Sequence, residues 1–373
     1  VRTGKTLTSL QIAKTIKAKN ILFVTKKKAI SSIESDAKLI GVELTVINYE
    51  SLHKVAKGFD LYILDEAHKL GSIGKLNQKA KLLKSMIKPN DSVIYLSGTP
   101  TPETTSQIYN QLNILEAKSP FKEKNFFKWA QRYCDIKLKY FGHGYPVKDY
   151  TICNFDIKEL DFISQSQKQA GFSSEIIENF PIIKMRPITK EIIKTLKKDK
   201  IYQGKSDVIL ADTSVKEMGK IHQLSSGTCV LEESGEAVII DDSKAVYIRD
   251  DFKGKKIAIF YKFKAELKLL QKFFDITESI EEFNTTDKVI ALQFVSGREG
   301  VKLDKASCII AFNIDYSATT YFQFRDRMTT FNREKSDVYF LCSDCGIEKD
   351  IYKAVSKKKN YTKQYYERTR LSE

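Results

Sequence analysis

Short apolar runs alternate with amphipathic stretches along the first third of the chain. Residues 21–25 (Ile-Leu-Phe-Val-Thr), 44–48 (Leu-Thr-Val-Ile-Asn), 61–64 (Leu-Tyr-Ile-Leu) and 93–97 (Val-Ile-Tyr-Leu-Ser) are mainly apolar runs that end in a polar residue or, at 61–64, are followed by one. That is the pattern of strands buried on both faces of a parallel sheet. Between them, residues 6–18 set Leu7, Leu10, Ile12, Ala13 and Ile16 at helical spacing, and residues 75–87 do the same with Leu76, Ala80, Leu82, Leu83 and Met86. Strand and helix in alternation predict an α/β layer. From Pro120 to about Lys205 the pattern becomes aromatic, basic and mainly helical, broken by Gly142-His143-Gly144-Tyr145-Pro146 and by Phe180-Pro181. Strand-like runs return at 256–261, 289–294, 308–313 and 338–342. Three parts follow: an α/β lobe over 1–118, a helical, basic insertion and linker over 119–240, and a second α/β lobe over 241–373 that ends in a basic tail.

Composition narrows the class. At 373 residues, with 42% hydrophobic side chains, the chain exceeds the usual size of one core and can build two. No stretch approaches the ~20 consecutive apolar residues of a membrane span. Six cysteines, at 134, 153, 229, 308, 342 and 345, are too sparse for a disulfide framework and predict a reducing, intracellular compartment. Cys342 and Cys345 form a lone Cys-x-x-Cys pair without the second pair a zinc site needs, so they read as ordinary thiols. The net charge of +15 points to a polyanionic partner. Two windows, 184–205 and 349–370, each carry eight Lys/Arg against two acids. In the second window Tyr352, Tyr361, Tyr365 and Tyr366 interleave with the charges. Such tyrosines suit either stacking on nucleic-acid bases or packing on the lobe beneath.

Candidate chemistry begins at the first residues. Gly4-Lys5-Thr6 opens a helix whose free N–H groups and positive dipole end can hold phosphate oxygens, with Lys5 reaching the β/γ-phosphates and Thr6 a Mg²⁺ ion. Arg2 and Thr3 belong to the same loop. The chain opens inside that loop and so reads as a fragment or a processed chain. At the tip of the apolar run 61–64 stand Asp65 and Glu66, where one carboxylate can hold Mg²⁺ and the other can orient an attacking water.

Gly4-Lys5-Thr6, Asp65-Glu66-Ala67-His68 and Ser97-Gly98-Thr99-Pro100, in that order, resemble motifs I, II and III of superfamily-two helicases and translocases. Thr25-Lys26-Lys27 resembles motif Ia, and the run ending in Tyr261-Lys262-Phe263 resembles motif IV. Ser296-Gly297-Arg298-Glu299-Gly300-Val301-Lys302-Leu303 resembles motif V, and Gln323-Phe324-Arg325-Asp326-Arg327 the start of motif VI. The motif V and VI patterns are closest to the Swi/Snf-like branch. The resemblance implies two RecA-like lobes with ATP and Mg²⁺ between them. It assigns ATP contacts to Arg2, Thr3, Gly4, Lys5, Thr6, Asp65 and Gln323, the metal to Thr6 and Asp65, and water activation to Glu66. Coupling falls to His68, Ser97 and Thr99. Nucleic-acid contacts fall to Thr25, Lys26, Lys27, Tyr261, Gly297, Arg298, Gly300 and Lys302. Arg327 is the arginine expected to stabilise charge on the γ-phosphate. The family's next arginine is replaced by Thr330, which makes Arg333 a second candidate.

These readings predict an ATP-dependent translocase or helicase that acts on duplex DNA, with no membrane partner. No strand-separating wedge is evident, so translocation or remodelling is expected ahead of processive unwinding. The compact size resembles phage and bacterial helicase-like proteins, which implies the cytoplasm of a bacterial cell or phage-infected host. The alternatives are an RNA helicase, the motor of a restriction system, and a nucleic-acid-binding scaffold whose catalytic arginine has decayed.

Overall fold

The computed structural model describes the chain outside residues 1–3, 57, 103, 141–144, 164–174, 205–207, 233, 295–302, 329–332 and 371–373. The chain divides into two compact units, residues 1–170 and 171–373. The stretch expected as an insertion is thus apportioned, with 119–170 in the first unit and 171–240 in the second. No helix among the described residues is long and apolar enough to cross a membrane.

In the first unit β1 (Ile21–Thr25), β2 (Thr45–Asn48), β3 (Leu61–Leu64) and β4 (Ser92–Tyr95) form a parallel sheet in the order β2-β1-β3-β4. Every residue of β1 and β3 is buried, and the two-residue period of a strand divides them between two cores. Ile21, Phe23, Leu61 and Ile63 pack with Leu10 and Ala13 of α1 (Lys5–Thr15) and with Ile33 and Ala37 of α2 (Ile30–Ile40). Leu22, Val24, Tyr62 and Leu64 pack on the other face with Ala80, Leu83 and Met86 of α3 (Gln78–Met86). Each such side chain contributes about 1.5–3 kcal/mol by leaving water. Local signals set the helix ends. Gly41 terminates α2 at φ 72°, a left-handed conformation glycine adopts without strain, and the Asn77 side chain caps α3 by accepting from Ala80 N. Farther along, Tyr109, Phe126, Trp129 and Phe155 are buried in a separate aromatic nest.

The second unit is built on a six-stranded sheet, parallel throughout. Its spatial order is Ile276–Thr277, Val289–Gln293, Ile257–Tyr261, Cys308–Ala311, Lys335–Phe340 and Glu175–Asn179. The expected α/β class with parallel sheets is therefore present in both units. The strand Glu175–Asn179 was not legible as such: it lies at one edge of the sheet, paired with residues 335–339. Its Glu178 accepts hydrogen bonds from Tyr321 at 2.7 Å and Tyr352 at 2.9 Å, which satisfies a carboxylate on an otherwise apolar layer. Under the strand ends lies a buried ion pair. Lys244 Nζ donates to Glu348 Oε1 at 2.8 Å and to the carbonyls of Phe312 and Leu341, each at 3.0 Å.

The tail decides between the two uses of its tyrosines. Tyr361 and Tyr366 are 3% and 2% exposed, Tyr352 bonds to Glu178, and Tyr365 packs on the same core. These rings hold the terminal helices Glu348–Val355 and Lys363–Arg370 onto the unit and are not offered to bases. Arg370 is likewise tied down, donating to Glu217 at 2.7 Å and to the Lys197 carbonyl. In the other basic window Arg186, Lys190 and Lys200 pair with Asp242, Asp344 and Glu217.

Candidate nucleotide site

Gly4 stands immediately before α1 with φ 75° and ψ 14°, the left-handed conformation that lets a loop turn sharply into a helix. Lys5 and Thr6 are the first two helical residues, where backbone N–H groups have no partner within the helix. From there the Lys5 side chain reaches the turn after β4: a Cβ added to Gly98 would stand 3.5 Å from Lys5 Nζ. The ammonium, the Ser97-Gly98-Thr99 turn and the end of β3 therefore lie together in the first unit.

The register of the sheet places the carboxylates. Val24 pairs with Leu64, so Thr25 and Asp65 follow side by side at the carboxyl ends of β1 and β3. The Thr25 hydroxyl donates to Asp65 Oδ2 at 2.9 Å, and the Tyr49 hydroxyl donates to the Asp65 carbonyl at 2.7 Å. Burial and the adjacent Glu66 carboxylate push the Asp65 carboxyl above its ordinary pKa, while the Thr25 hydroxyl and the Lys5 ammonium oppose the rise. Glu66 sits at φ 49° and ψ 46°, a left-handed conformation that costs a non-glycine residue about 1–2 kcal/mol. Its Oε2 is buried and accepts no hydrogen bond from a described residue. An orphaned carboxylate oxygen of this kind is what a water or a cation would satisfy.

His68 lies behind the pair. Its Nδ1 is 3.3 Å from Glu66 Oε2 and 3.1 Å from Ser97 Oγ. Burial holds the imidazole down at about 4, against the raising influence of Glu66, so the ring is neutral at pH 7 and its approach to Glu66 is not an ion pair. Ser97 Oγ in turn accepts from Thr99 N at 3.1 Å, and Ala67 N donates to the Leu96 carbonyl at 2.8 Å. The loops after β3 and β4 are thus stitched together by backbone and side chain. Thr99 Oγ1 is buried without a hydrogen-bond partner among the described residues. Asp65 and the neighbouring Glu66 bring carboxylate oxygens together at the end of β3, the donor chemistry a hard cation such as Mg²⁺ takes.

Several expected contacts sit elsewhere. Thr25 is 1% exposed and serves Asp65, so its hydroxyl is not turned to a nucleic-acid strand. Lys26 is half-buried and Lys27 exposed at the following turn. In the second unit Tyr261 is 4% exposed, and burial pushes its hydroxyl up to about 12; it is a core residue at the end of its strand. Gln323 and Arg327 are buried. Arg333 Nη2 donates to the carbonyls of Asp304 and Ala306 at 3.1 and 2.7 Å. Arg2, Thr3, Gly297, Arg298, Gly300, Lys302 and Thr330 lie outside the described residues. Burial pushes the Cys342 and Cys345 thiols each up to about 12, the range of unreactive thiols. Tyr49 is the site residue that sequence reasoning missed. Its signal is only a tyrosine after the β2 run, with nothing local to tie it to Asp65.

No family model matches the chain. Over 114 residues it is 28% identical to the DNA annealing helicase and endonuclease ZRANB3 of Mus musculus, a stretch covering 28% of this chain and 10% of that protein. Over 108 residues it is 30% identical to the SWI/SNF-related matrix-associated actin-dependent regulator of chromatin subfamily A-like protein 1 of Drosophila melanogaster, covering 29% of this chain and 13% of that one. The chain therefore spans roughly a tenth of the length of these curated relatives. Among solved structures, the Pyrococcus furiosus Hef helicase domain aligns with 95% of this chain and 93% of its own, at a TM-score of 0.49 and 12% identity. The sequence similarities to SWI/SNF-related proteins support a helicase-type protein of superfamily two.

Proposed function

We propose that the chain is a nucleic-acid-dependent ATPase that couples ATP hydrolysis to movement along, or remodelling of, duplex DNA. The observation that carries this reading is the meeting of Lys5, Asp65, Glu66, His68 and Ser97 within the first unit, by way of the Lys5 approach to Gly98 and the contacts of His68. In this reading the N–H groups at the start of α1 and the Lys5 ammonium bind the phosphates. Thr6 and Asp65 hold Mg²⁺, which when bound neutralises charge on the β- and γ-phosphates. Asp65 is kept in place for this by Thr25 and Tyr49. Glu66 takes a proton from the attacking water with its undonated oxygen. Neutral His68 and Ser97 relate the state of that carboxylate to the turn after β4. The roles of Arg327 and of Arg333, whose Nη2 donates to the Asp304 and Ala306 carbonyls, rest on the resemblance alone.

Nucleic acid as the partner is supported by the excess of positive charge and by the DNA-directed names of the relatives, one a DNA annealing helicase. Duplex DNA is preferred to RNA on the same ground. The test is steady-state ATP hydrolysis with no polymer, with duplex DNA and with duplex RNA. The reading expects the largest stimulation with duplex DNA. Stimulation by RNA alone turns the assignment to an RNA helicase, and tight nucleotide binding without turnover turns it to a scaffold.

A further inference from the structure

The first unit also carries an antiparallel hairpin, Lys137–Lys139 with Val147–Asp149. Its base is fixed. Asp135 N donates to the Ile152 carbonyl at 2.9 Å, Asn154 N donates to the Tyr133 carbonyl at 2.8 Å, and the backbones of Cys134 and Cys153, both free thiols, pair antiparallel. These pairs run into the aromatic nest, where Tyr133 stands 5.3 Å from Trp129 and 5.2 Å from Phe155, ring centre to ring centre. Trp129 is fully buried there.

Beyond the base, the apolar groups are uncovered. Leu138 is 53% exposed, Tyr140 71%, Tyr145 95% and Val147 56%. The register sets Leu138 opposite Lys148 and Lys139 opposite Val147, so each face of the hairpin joins an apolar side chain to a lysine. An isolated two-stranded hairpin is marginal in water, and exposing apolar groups on both faces adds nothing to its stability. The charge says what would cover it: residues 118–149 carry eight lysines and arginines against three acids, and on the hairpin itself, where Lys137 pairs with Asp135 and Lys139 with Asp149, Lys148 lies outside those pairs. Exposed rings on a cationic arm match the needs of unpaired nucleic acid. Every base offers a face to stack on, and each stack is worth about 1–3 kcal/mol. A duplex keeps its bases stacked on one another and offers the rings no such face.

We propose that this hairpin is a stacking arm for unpaired bases, with Tyr140 and Tyr145 taking the bases and Lys148 the adjoining phosphate. This deepens the nucleic-acid reading above and rests on it. Fluorescence titration tests it, using a single-stranded DNA oligonucleotide that carries 2-aminopurine and a blunt duplex of the same sequence. The unaltered chain should bind the single strand and quench 2-aminopurine through ring contact. The Tyr140→Ala/Tyr145→Ala double variant should lose the quenching and bind the single strand more weakly by about thirty-fold or more, with duplex affinity changed less than about twofold. Tyr140→Phe/Tyr145→Phe should restore both, because it keeps the rings. Unchanged quenching and affinity in the alanine variant overturn the stacking arm while leaving the functional reading intact. Loss of duplex and single-strand binding in equal measure overturns it too, as does self-association that disappears in the alanine variant and thereby assigns the hairpin to a second copy. An unaltered chain that binds neither DNA nor RNA overturns the arm and the functional reading together.

Discussion

His68 Nδ1 lies 3.1 Å from Ser97 Oγ, and this contact joins the loop that carries Glu66 to the turn that receives Lys5. The Ser97 hydroxyl also accepts from Thr99 N, so it holds its own turn as well as the histidine. Ser97→Ala removes both contacts and leaves Lys5 and Asp65 in place. Nucleotide affinity, followed by equilibrium dialysis, should stay within about twofold. Stimulation of hydrolysis by duplex DNA should fall about fivefold or more, the lower range of a coupling free energy.

Thr25→Val should weaken nucleotide binding in the presence of Mg²⁺. The variant deletes the 2.9 Å hydrogen bond to the Asp65 carboxylate, and a hydrogen bond to a charged group is worth about 1.5–3 kcal/mol. Its loss also removes one of the groups that keep the Asp65 pKa from rising further. Metal holding requires the ionised carboxylate, so the pH dependence of Mg²⁺-supported nucleotide binding should move to higher pH in the variant. A profile that superimposes on that of the unaltered chain would show that Thr25 does not tune Asp65.

His222 gives the second unit an acid sensitivity. The ring is fully buried, 4.5 Å from the Tyr316 ring and near the Lys262 and Lys244 ammoniums. Burial, then those two charges, holds its pKa well below the ordinary value. The unfolded chain protonates this histidine near pH 6.5 and the folded chain does not. The stability it contributes is therefore complete above pH 6.5 and lost as pH falls below it, by up to about 1.4 kcal/mol per pH unit. His222→Phe keeps a stacked ring without the titration. Melting temperatures measured from pH 7.5 to 5 should fall more steeply for the unaltered chain than for the variant.

Lys244→Met should destabilise the second unit by about 3–5 kcal/mol, because it strands the buried Glu348 carboxylate without its cation. Adding Glu348→Leu should recover much of the loss, since the penalty lies in the uncompensated charge. Urea unfolding of the single and double variants measures both terms. A double variant no more stable than Lys244→Met would mean that the carbonyl contacts at Phe312 and Leu341, and not the charge pair, dominate.

What the sequence disclosed, and what it hid, follows from the range of each interaction. The runs Ile21–Thr25 and Leu61–Leu64 are buried on both faces, so their composition alone marks them as central strands. Asp65 and Glu66 follow directly from the end of such a strand. The strand Glu175–Asn179 was hidden because Glu175 and Glu178 interrupt its short apolar run and its partner lies about 160 residues downstream. Tyr361 and Tyr366 could not be told from stacking residues, because interleaved tyrosine and lysine is also the pattern of a helix packed on one face. The local sequence of Thr25 points toward nucleic acid; its service to Asp65 depends on β1 and β3 being neighbours in the sheet, a fact of register and not of local sequence.

In the proposed function Glu66 activates water for ATP hydrolysis beside a phosphate site made by Lys5. Pre-steady-state hydrolysis of radiolabelled ATP by the unaltered chain and by Glu66→Gln, both with saturating duplex DNA, tests it most directly. Nucleotide binding should be retained in the variant, and the hydrolysis rate should fall by about 10²–10⁴-fold, the contribution of a positioned general base. Equal rates in the two proteins would contradict it.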